Sequence, residues 1–133
     1  MGSSNSRRSK PLDRTLLSSC RRFFGHCSES KDGLRAIANF KFNVQFKLGG
    51  RPVFWARASR KNINFIRGTT SKCDLIFDTD IETYHAIFEG RISLTDSWFS
   101  GKLKLPGFGL KRTQYARLLS TMRICQGHYF WKS

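Results

Sequence analysis

Apolar and polar residues alternate strictly from residue 40 to residue 48, with phenylalanine, valine or leucine at every even position. A period of two predicts a β-strand with one buried and one solvated face. The glycine pair at 49–50 predicts a hairpin turn after this strand. Residues 53–59 and 62–67 continue the pattern on either side of a basic turn at 60–61, which predicts a three-stranded antiparallel meander.

The next segment predicts a strand that leads directly into a helix. Alternation over residues 73–78 indicates a strand with at least one buried face. Thr79 and Glu82 have the spacing of a capping box, and apolar residues over 81–88 then recur on one helical face. Gly90 is suited to end this helix, because glycine adopts the left-handed cap conformation without steric cost.

A second, shorter helix is predicted after that glycine. Ser93 and Asp96 have N-cap spacing at its start, and Trp98 and Phe99 lie near its end. Lysine and leucine then alternate over residues 102–105, which predicts a fifth strand. Together these segments predict an α+β domain with a single five-stranded, mostly antiparallel sheet that helices cover on one face.

Two further amphipathic helices are predicted towards the ends of the chain. Residues 12–24 place leucine, cysteine and phenylalanine on one helical side and arginine elsewhere. This pattern is typical of a helix packed against a domain, and also of a helix that lies on an anionic bilayer. We favour packing, since the polar face is not purely basic. Residues 110–122 likewise place basic side chains opposite an apolar face.

Basic residues outnumber acidic residues by 24 to 9, which gives a net charge of +15. The excess lies at the two ends: residues 101–133 carry seven basic residues and no acidic one. A field of this sign attracts anionic membranes, nucleic acids and acidic proteins alike. No apolar run approaches the roughly 18 residues of a membrane span, and no signal peptide is recognisable. We therefore expect a cytoplasmic protein, peripheral to a membrane at most.

The four cysteines are too few and too scattered to predict a disulfide framework. Cys20, His26 and Cys27 are close together in the sequence, and His128 lies near Cys125, so a zinc site is an alternative to buried free thiols. Paired CxxC spacing is absent. We therefore expect no metal.

The first six residues, MGSSNS, fit the pattern for N-myristoylation at Gly2. Arg7, Arg8 and Lys10 would supply the basic second signal that stable anchoring needs. An unmodified flexible tail explains the same residues, so both interpretations stay open.

The run DSWFSGKLKLPG at residues 96–107 joins an aromatic pair to a Gly-Lys-Leu-Lys strand that ends in glycine, and an aspartate-rich strand-to-helix junction precedes it. Residues 73–107 therefore resemble the C-terminal half of the sterol carrier protein 2 (SCP2) family, and the resemblance extends more loosely over residues 40–122. Pro106 departs from the polar or charged residue usual in the family. Because proline donates no backbone hydrogen bond, it weakens the end of the predicted strand.

The resemblance implies a non-catalytic lipid-binding or lipid-transfer module. Such domains hold a sterol, acyl or isoprenoid chain in an apolar cavity between sheet and helices, with this lipid as ligand and no cofactor. It also implies presentation of the lipid at anionic membranes or to a biosynthetic complex, as in accessory factors of ubiquinone synthesis. From the residues alone, a solid aromatic core is the alternative.

The implied lining residues are apolar side chains of the strand–helix segment and of the last helix: Phe77, Tyr84, Phe88, Trp98, Phe99, Leu103, Leu105, Tyr115, Leu118, Leu119 and Met122. Arg112 and Arg117, on the opposite side of the last helix, are candidate contacts with lipid phosphates, and solvated arginines without a specific role are the alternative. The predicted division of the chain is a disordered basic tail (1–11), an amphipathic helix with a linker (12–33), the SCP2-like lipid-binding domain (34–124) and a C-terminal tail (125–133).

Two other classes of function have weaker support. The histidines lack a serine or cysteine elbow, and the acidic residues between 74 and 82 are explained as strand-end and cap residues, so an enzyme is not expected. The basic ends also fit nucleic-acid binding, with aromatic side chains stacking on bases. Against this, no RNP motif is present, and a core is expected at Phe40, Phe42, Phe46, Phe77 and Phe99.

Overall fold

The computed structural model describes residues 2–39, 41–58 and 63–132, with side chains from 14–38, 41–57 and 63–126. The helices are α1 (Gly2–Cys27), α2 (Lys31–Asn39), α3 (Ile81–Phe88), α4 (Leu94–Phe99) and α5 (Arg112–Lys132). The strands are β1 (Asn43–Leu48), β2 (Arg51–Ala58), β3 (Ile63–Arg67) and β4 (Leu75–Thr79). The turn predicted at 60–61 lies outside the described residues.

The sheet has the order β3-β2-β1-β4 and is mixed. The β1–β2 and β2–β3 pairs are antiparallel, as the meander predicts, but β1 and β4 run parallel, so a mostly antiparallel sheet is only partly confirmed. Parallel strands need a crossover, and the excursion through β2 and β3 supplies it. Phe46 of β1 is opposite both Phe54 and Phe77, so the register brings three buried rings together.

The predicted fifth strand at residues 102–105 is wrong in the described structure, which pairs this segment with β4 only through an isolated bridge between Asp78 and Lys104. The Lys104 N–H donates to the Asp78 carbonyl (2.7 Å), and the Asp78 N–H donates back (3.1 Å). The Leu103 N–H instead donates to the Ser97 carbonyl in α4 (3.0 Å). Pro106 has no N–H with which to extend the ladder. Local hydrogen bonds therefore replace a strand here.

Gln45 lies on the face of β1 that the alternation predicts to be solvated, yet its side chain is buried. Its amide nitrogen donates to the carbonyls of Phe54 (2.9 Å) and Gly68 (3.1 Å). Its amide oxygen accepts a hydrogen bond from the Thr70 N–H (3.0 Å). A buried amide is tolerated because its polar atoms are satisfied, and here it fastens the turn after β3 onto the sheet.

The α3 helix begins one residue later than the capping box predicts. The N-cap is Asp80, whose carboxylate accepts from the Thr83 N–H at 2.7 Å. Thr79 is the last residue of β4, and its hydroxyl donates to the Lys102 carbonyl (2.6 Å), so it is not available as a cap. The predicted end of α3 is confirmed, since Gly90 has a φ of 74°. The predicted cap of α4 is also confirmed, because the Ser93 hydroxyl accepts from the Asp96 N–H.

Helix α2 begins at the end of the segment predicted to be an amphipathic helix with a linker (12–33) and extends to Asn39. It begins only four residues after α1 ends, and a Cβ on Gly33 would lie 1.7 Å from the carbonyl oxygen of Cys27. Glycine is therefore required for the close approach of the two helices. The sequence does not predict this helix, because it is short and contains a glycine in its first turn.

Both ends of the chain are helical where tails are predicted. Helix α1 begins at Gly2, and α5 continues to Lys132. Once a helix is nucleated, each added residue gains a hydrogen bond, and α1 is anchored by packing against α3 and α5. The side chains around Gly2 lie outside the described side chains, so myristoylation of Gly2 stays untested.

Candidate functional site

A closed loop of aromatic rings fills the layer between the sheet and the helices. Neighbouring ring centroids around the loop are 4.9 to 6.1 Å apart. Four rings come from the sheet and two each from α1 and α3: Phe46, Phe54, Phe65, Phe77, Phe23, Phe24, Tyr84 and Phe88. We call this set the aromatic layer. These centroid distances lie within the range of favourable aromatic contacts, so the aromatic layer is a continuous apolar core.

The residues predicted to line a lipid cavity lie mostly inside this core. Eight of the eleven are buried: Phe77, Tyr84, Phe88, Leu103, Leu105, Tyr115, Leu118 and Met122. Trp98 and Leu119 are half-buried, and Phe99 is exposed. The buried members pack against other side chains of the cluster, so their role as lipid contacts stays a prediction.

The Tyr84 hydroxyl has a structural task that the sequence does not reveal. Its single proton is shared between the carbonyl oxygens of Lys47 (2.5 Å) and Phe77 (2.8 Å), which joins α3 to β1 and β4. Burial, followed by the nearby Asp78 carboxylate, raises the pKa of Tyr84 well above its ordinary value. The neutral phenol is therefore the form that the fold requires.

The Tyr84 contribution to stability should disappear at alkaline pH. Because the folded-state pKa is raised, the stabilisation is complete below about pH 10 and is lost as pH rises through the folded-state pKa. Between about pH 10 and the folded-state pKa, ionisation of Tyr84 should lower the free energy of unfolding by about 1.4 kcal/mol per pH unit. Urea unfolding from pH 8 to 11 measures this slope, which should be shallower in Tyr84→Phe. Equal slopes in the two proteins would contradict the assignment.

One pocket opens between α1, α2 and β3, with a volume of about 360 Å³. We call it the α1/β3 pocket. Phe24 and Phe65 belong both to its wall and to the aromatic layer, and their ring centroids are 5.7 Å apart. The Arg21 guanidinium donates to the Phe65 carbonyl across the same seam (3.5 Å). None of its lining residues is among the predicted lipid contacts, because α1 and α2 carry no family signal in the sequence.

A second pocket, of about 440 Å³, lies between α2 and α5. Its wall includes Lys41 and the predicted phosphate contact Arg117, together with Ala36 and Ile124. Arg112, the other predicted contact, is exposed at the start of α5. The role of the two arginines as phosphate contacts stays a prediction.

Two of the four cysteines form a disulfide, between Cys27 at the end of α1 and Cys125 in α5. Their Cα atoms are 4.6 Å apart and both side chains are buried. This pairing contradicts the interpretation of Cys27 and Cys125 as buried free thiols, and neither sulfur is free to bind zinc. Among the described residues no group of three or more histidines, cysteines or carboxylates is placed to hold a metal. His128 lies outside the described side chains.

Within the described residues, no helix combines the length and the apolar character that crossing a bilayer requires. No protein-family model and no curated protein matches the chain. Solved structures do match. The UbiJ-SCP2 ubiquinone synthesis protein aligns over 87% of this chain and 97% of its own, with a TM-score of 0.64 and 14% identity.

Sterol carrier protein 2 from Yarrowia lipolytica, in its apo form, aligns over 84% of this chain and 89% of its own, with a TM-score of 0.56 and 15% identity. The sterol carrier protein domain 2 of Helicoverpa armigera aligns over 74% of this chain and 78% of its own, with a TM-score of 0.55 and 17% identity. Identities this low establish the fold alone. The chain has the SCP2-like fold that its central segment predicts.

Proposed function

We propose that this chain is a non-catalytic lipid-binding module that takes a sterol, acyl or isoprenoid chain into the layer between sheet and helices. One observation carries the proposal: in an SCP2-like fold, a surface pocket opens directly onto the aromatic layer through Phe24 and Phe65. Its volume is within the range of about 300–1,000 Å³ that small-molecule sites occupy.

The α1/β3 pocket is the proposed entrance because few strong contacts hold α1 against β3 there. The bond from Arg21 to Phe65 is 3.5 Å long, and β3 is an edge strand with a second strand on one side only. Edge elements open at lower free-energy cost than central ones. Movement of α1 away from β3 would separate the rings of Phe24 and Phe65 and admit a ligand to the layer beneath.

The energetics favour an apolar ligand with few polar contacts. Removing an acyl chain of about 16 carbons from water is worth roughly 12 kcal/mol before costs. Loss of translational freedom and reordering of the core subtract a large part of this gain. Such a site needs apolar volume and an opening. The aromatic layer is the apolar part, and the α1/β3 pocket is the proposed opening.

Two extensions belong to the same proposal. The excess of basic residues suits presentation of the lipid at an anionic membrane. The likeness to the UbiJ-SCP2 ubiquinone synthesis protein supports an accessory role in which the module shields an isoprenoid intermediate within a biosynthetic complex.

The test is native mass spectrometry of the purified chain, followed by solvent extraction and by titration with a fluorescent long-chain fatty acid. We expect copurified lipid and saturable binding at one ligand per chain. Nucleic acid that persists through high salt, without lipid, would support the nucleic-acid alternative instead. A chain that carries no lipid and binds no probe would contradict the proposal.

The entrance can be tested by filling it. Gly25 lines the α1/β3 pocket, and a Cβ added there meets no atom within 4 Å. Gly25→Leu should therefore fold normally, since removing a helical glycine gains up to about 1 kcal/mol. The leucine should weaken binding of the fatty-acid probe about tenfold by overpacking the bound state. Ser18→Leu, exposed on the same helix outside the pocket, is the matched control and should bind normally. Equal affinity in both variants would exclude this entrance.

A further inference from the structure

The end of α4 and the turn before α5 form an exposed apolar surface. The Phe99 side chain is 77% exposed and that of Leu110 is 93% exposed. The Trp98 ring centroid lies 5.3 Å from that of Phe99 and 4.5 Å from that of Phe108. Leu110 lies in the same turn as Phe108. We call these four residues the aromatic tip.

The aromatic tip is held in place by the folded domain. The Phe108 ring packs on the ring of Tyr115, a buried residue of α5, at a centroid distance of 5.8 Å. The Tyr115 hydroxyl donates to the Pro106 carbonyl (2.5 Å) and accepts from the Ile76 N–H of β4 (3.1 Å). The rings of Trp98, Phe99 and Phe108 are therefore one contiguous apolar surface on a fixed support, and an exposed apolar patch of this kind marks an interaction site.

Exposed basic residues lie close in the sequence to the aromatic tip. Lys102 and Lys104 lie between α4 and the turn, and Arg112 follows it; all three are exposed. In the described part of the chain no ion pair involves any of them. The sequence from residue 101 onwards contains no carboxylate side chain that could neutralise them.

We propose that the aromatic tip docks on an anionic lipid bilayer, with Phe99 and Leu110 inserted at the headgroup level and the three cations bound to lipid phosphates. Phenylalanine and leucine side chains insert at the boundary between headgroups and acyl chains, and basic residues near an anionic leaflet add attraction for each charge. The inference rests on the proposed lipid-carrier function for its purpose, because it identifies the surface at which cargo would be exchanged. Its physical basis is independent of any cargo.

Single-stranded nucleic acid fits this surface less well. Bases stack on free aromatic faces, whereas the Phe108 ring is in contact with both Trp98 and Tyr115. Leu110 is aliphatic and the most exposed apolar side chain of the tip, so it offers no stacking partner. Insertion into an apolar phase uses both Phe99 and Leu110.

The experiment is cosedimentation of the 133-residue chain with vesicles of phosphatidylcholine that contain phosphatidylserine. Each inserted side chain should contribute about tenfold in affinity, so the double substitution Phe99→Ser with Leu110→Ser should weaken binding about a hundredfold. The matched control is Leu34→Ser with Ile66→Ser, which removes two exposed apolar side chains elsewhere and should bind as the unsubstituted chain does. Lys102→Gln and Lys104→Gln should each cost about fivefold.

The outcomes are separable from those of cargo binding. Unchanged vesicle affinity in the Phe99/Leu110 variant would overturn the inference, as would binding of an RNA oligonucleotide through these residues with no vesicle binding. Lys102→Gln, at an exposed residue outside the predicted lipid contacts, should weaken vesicle binding and still bind the fatty-acid probe normally. If vesicle binding depends on the aromatic tip while no probe binds the unsubstituted chain, the docking surface stands and the carrier function fails.

Discussion

Replacing Cys27 and Cys125 together by serine is expected to lower the free energy of unfolding by about 4 to 5 kcal/mol. The bond joins residues that are 98 positions apart, so it closes a loop through nearly the whole folded domain. A cross-link of that length removes a large amount of conformational entropy from the unfolded chain. Both sulfurs are also fully buried, so the bond ties the end of α1 to α5 inside the core.

Urea unfolding with and without a thiol reductant measures this effect. The unsubstituted chain should lose stability in reductant, whereas the double serine variant should be weakened from the start and insensitive to reductant. Cys73→Ser is the control, because Cys73 is a free, half-buried cysteine whose replacement leaves the bond intact. Identical midpoints for the oxidised and reduced chain would contradict the contribution of the disulfide.

Phe23→Ala is expected to cost about 3 to 5 kcal/mol of stability. The Phe23 side chain is fully buried, and its ring lies 5.2 Å from that of Phe24 and 5.2 Å from that of Phe88. It is therefore the link by which α1 joins the aromatic layer to α3. Truncation removes the apolar burial and leaves a cavity in the layer that surrounding side chains fill only partly.

The matched measurement compares urea midpoints of Phe23→Ala and Phe99→Ala. Phe99 is largely exposed, so its truncation should change stability by no more than about 0.5 kcal/mol. If the layer accepts lipid, saturating fatty-acid probe should restore part of the stability of Phe23→Ala, because the ligand binds only the folded state. A cost below about 1 kcal/mol would show that Phe23 is not an integral part of the core.

The sequence correctly predicts a strand or helix where each face of that element meets one kind of environment, apolar core or solvent, along its whole length. The alternation around Val44 and Phe46 gives β1 correctly, because that face packs against apolar side chains throughout. The same rule fails at Gln45, where a turn from later in the chain covers the second face of the sheet. It fails again at residues 102–105, which alternate like a strand but bond mainly to α4 and β4.

Only part of the candidate site can be predicted from the sequence, for a related reason. Phe77, Tyr84 and Phe88 lie in the segment with the family resemblance, and the structure places all three in the aromatic layer. Phe23 and Phe24 complete that layer from α1, for which the sequence offers only an amphipathic pattern. The disulfide is also silent in the sequence, because cysteine spacing does not reveal which distant pairs meet.

Helix α1 belongs to the part of the chain that must be present for the domain to fold. Besides its two phenylalanines, it buries Leu16, Leu17 and Cys20 against the rest of the chain. A shortened version that started at residue 34 would leave the inner surfaces of Phe65 and Phe88 facing water, and would be expected to associate through them. The smallest part of the chain that can fold by itself is thus longer than residues 40–122, the part whose sequence resembles the SCP2 family.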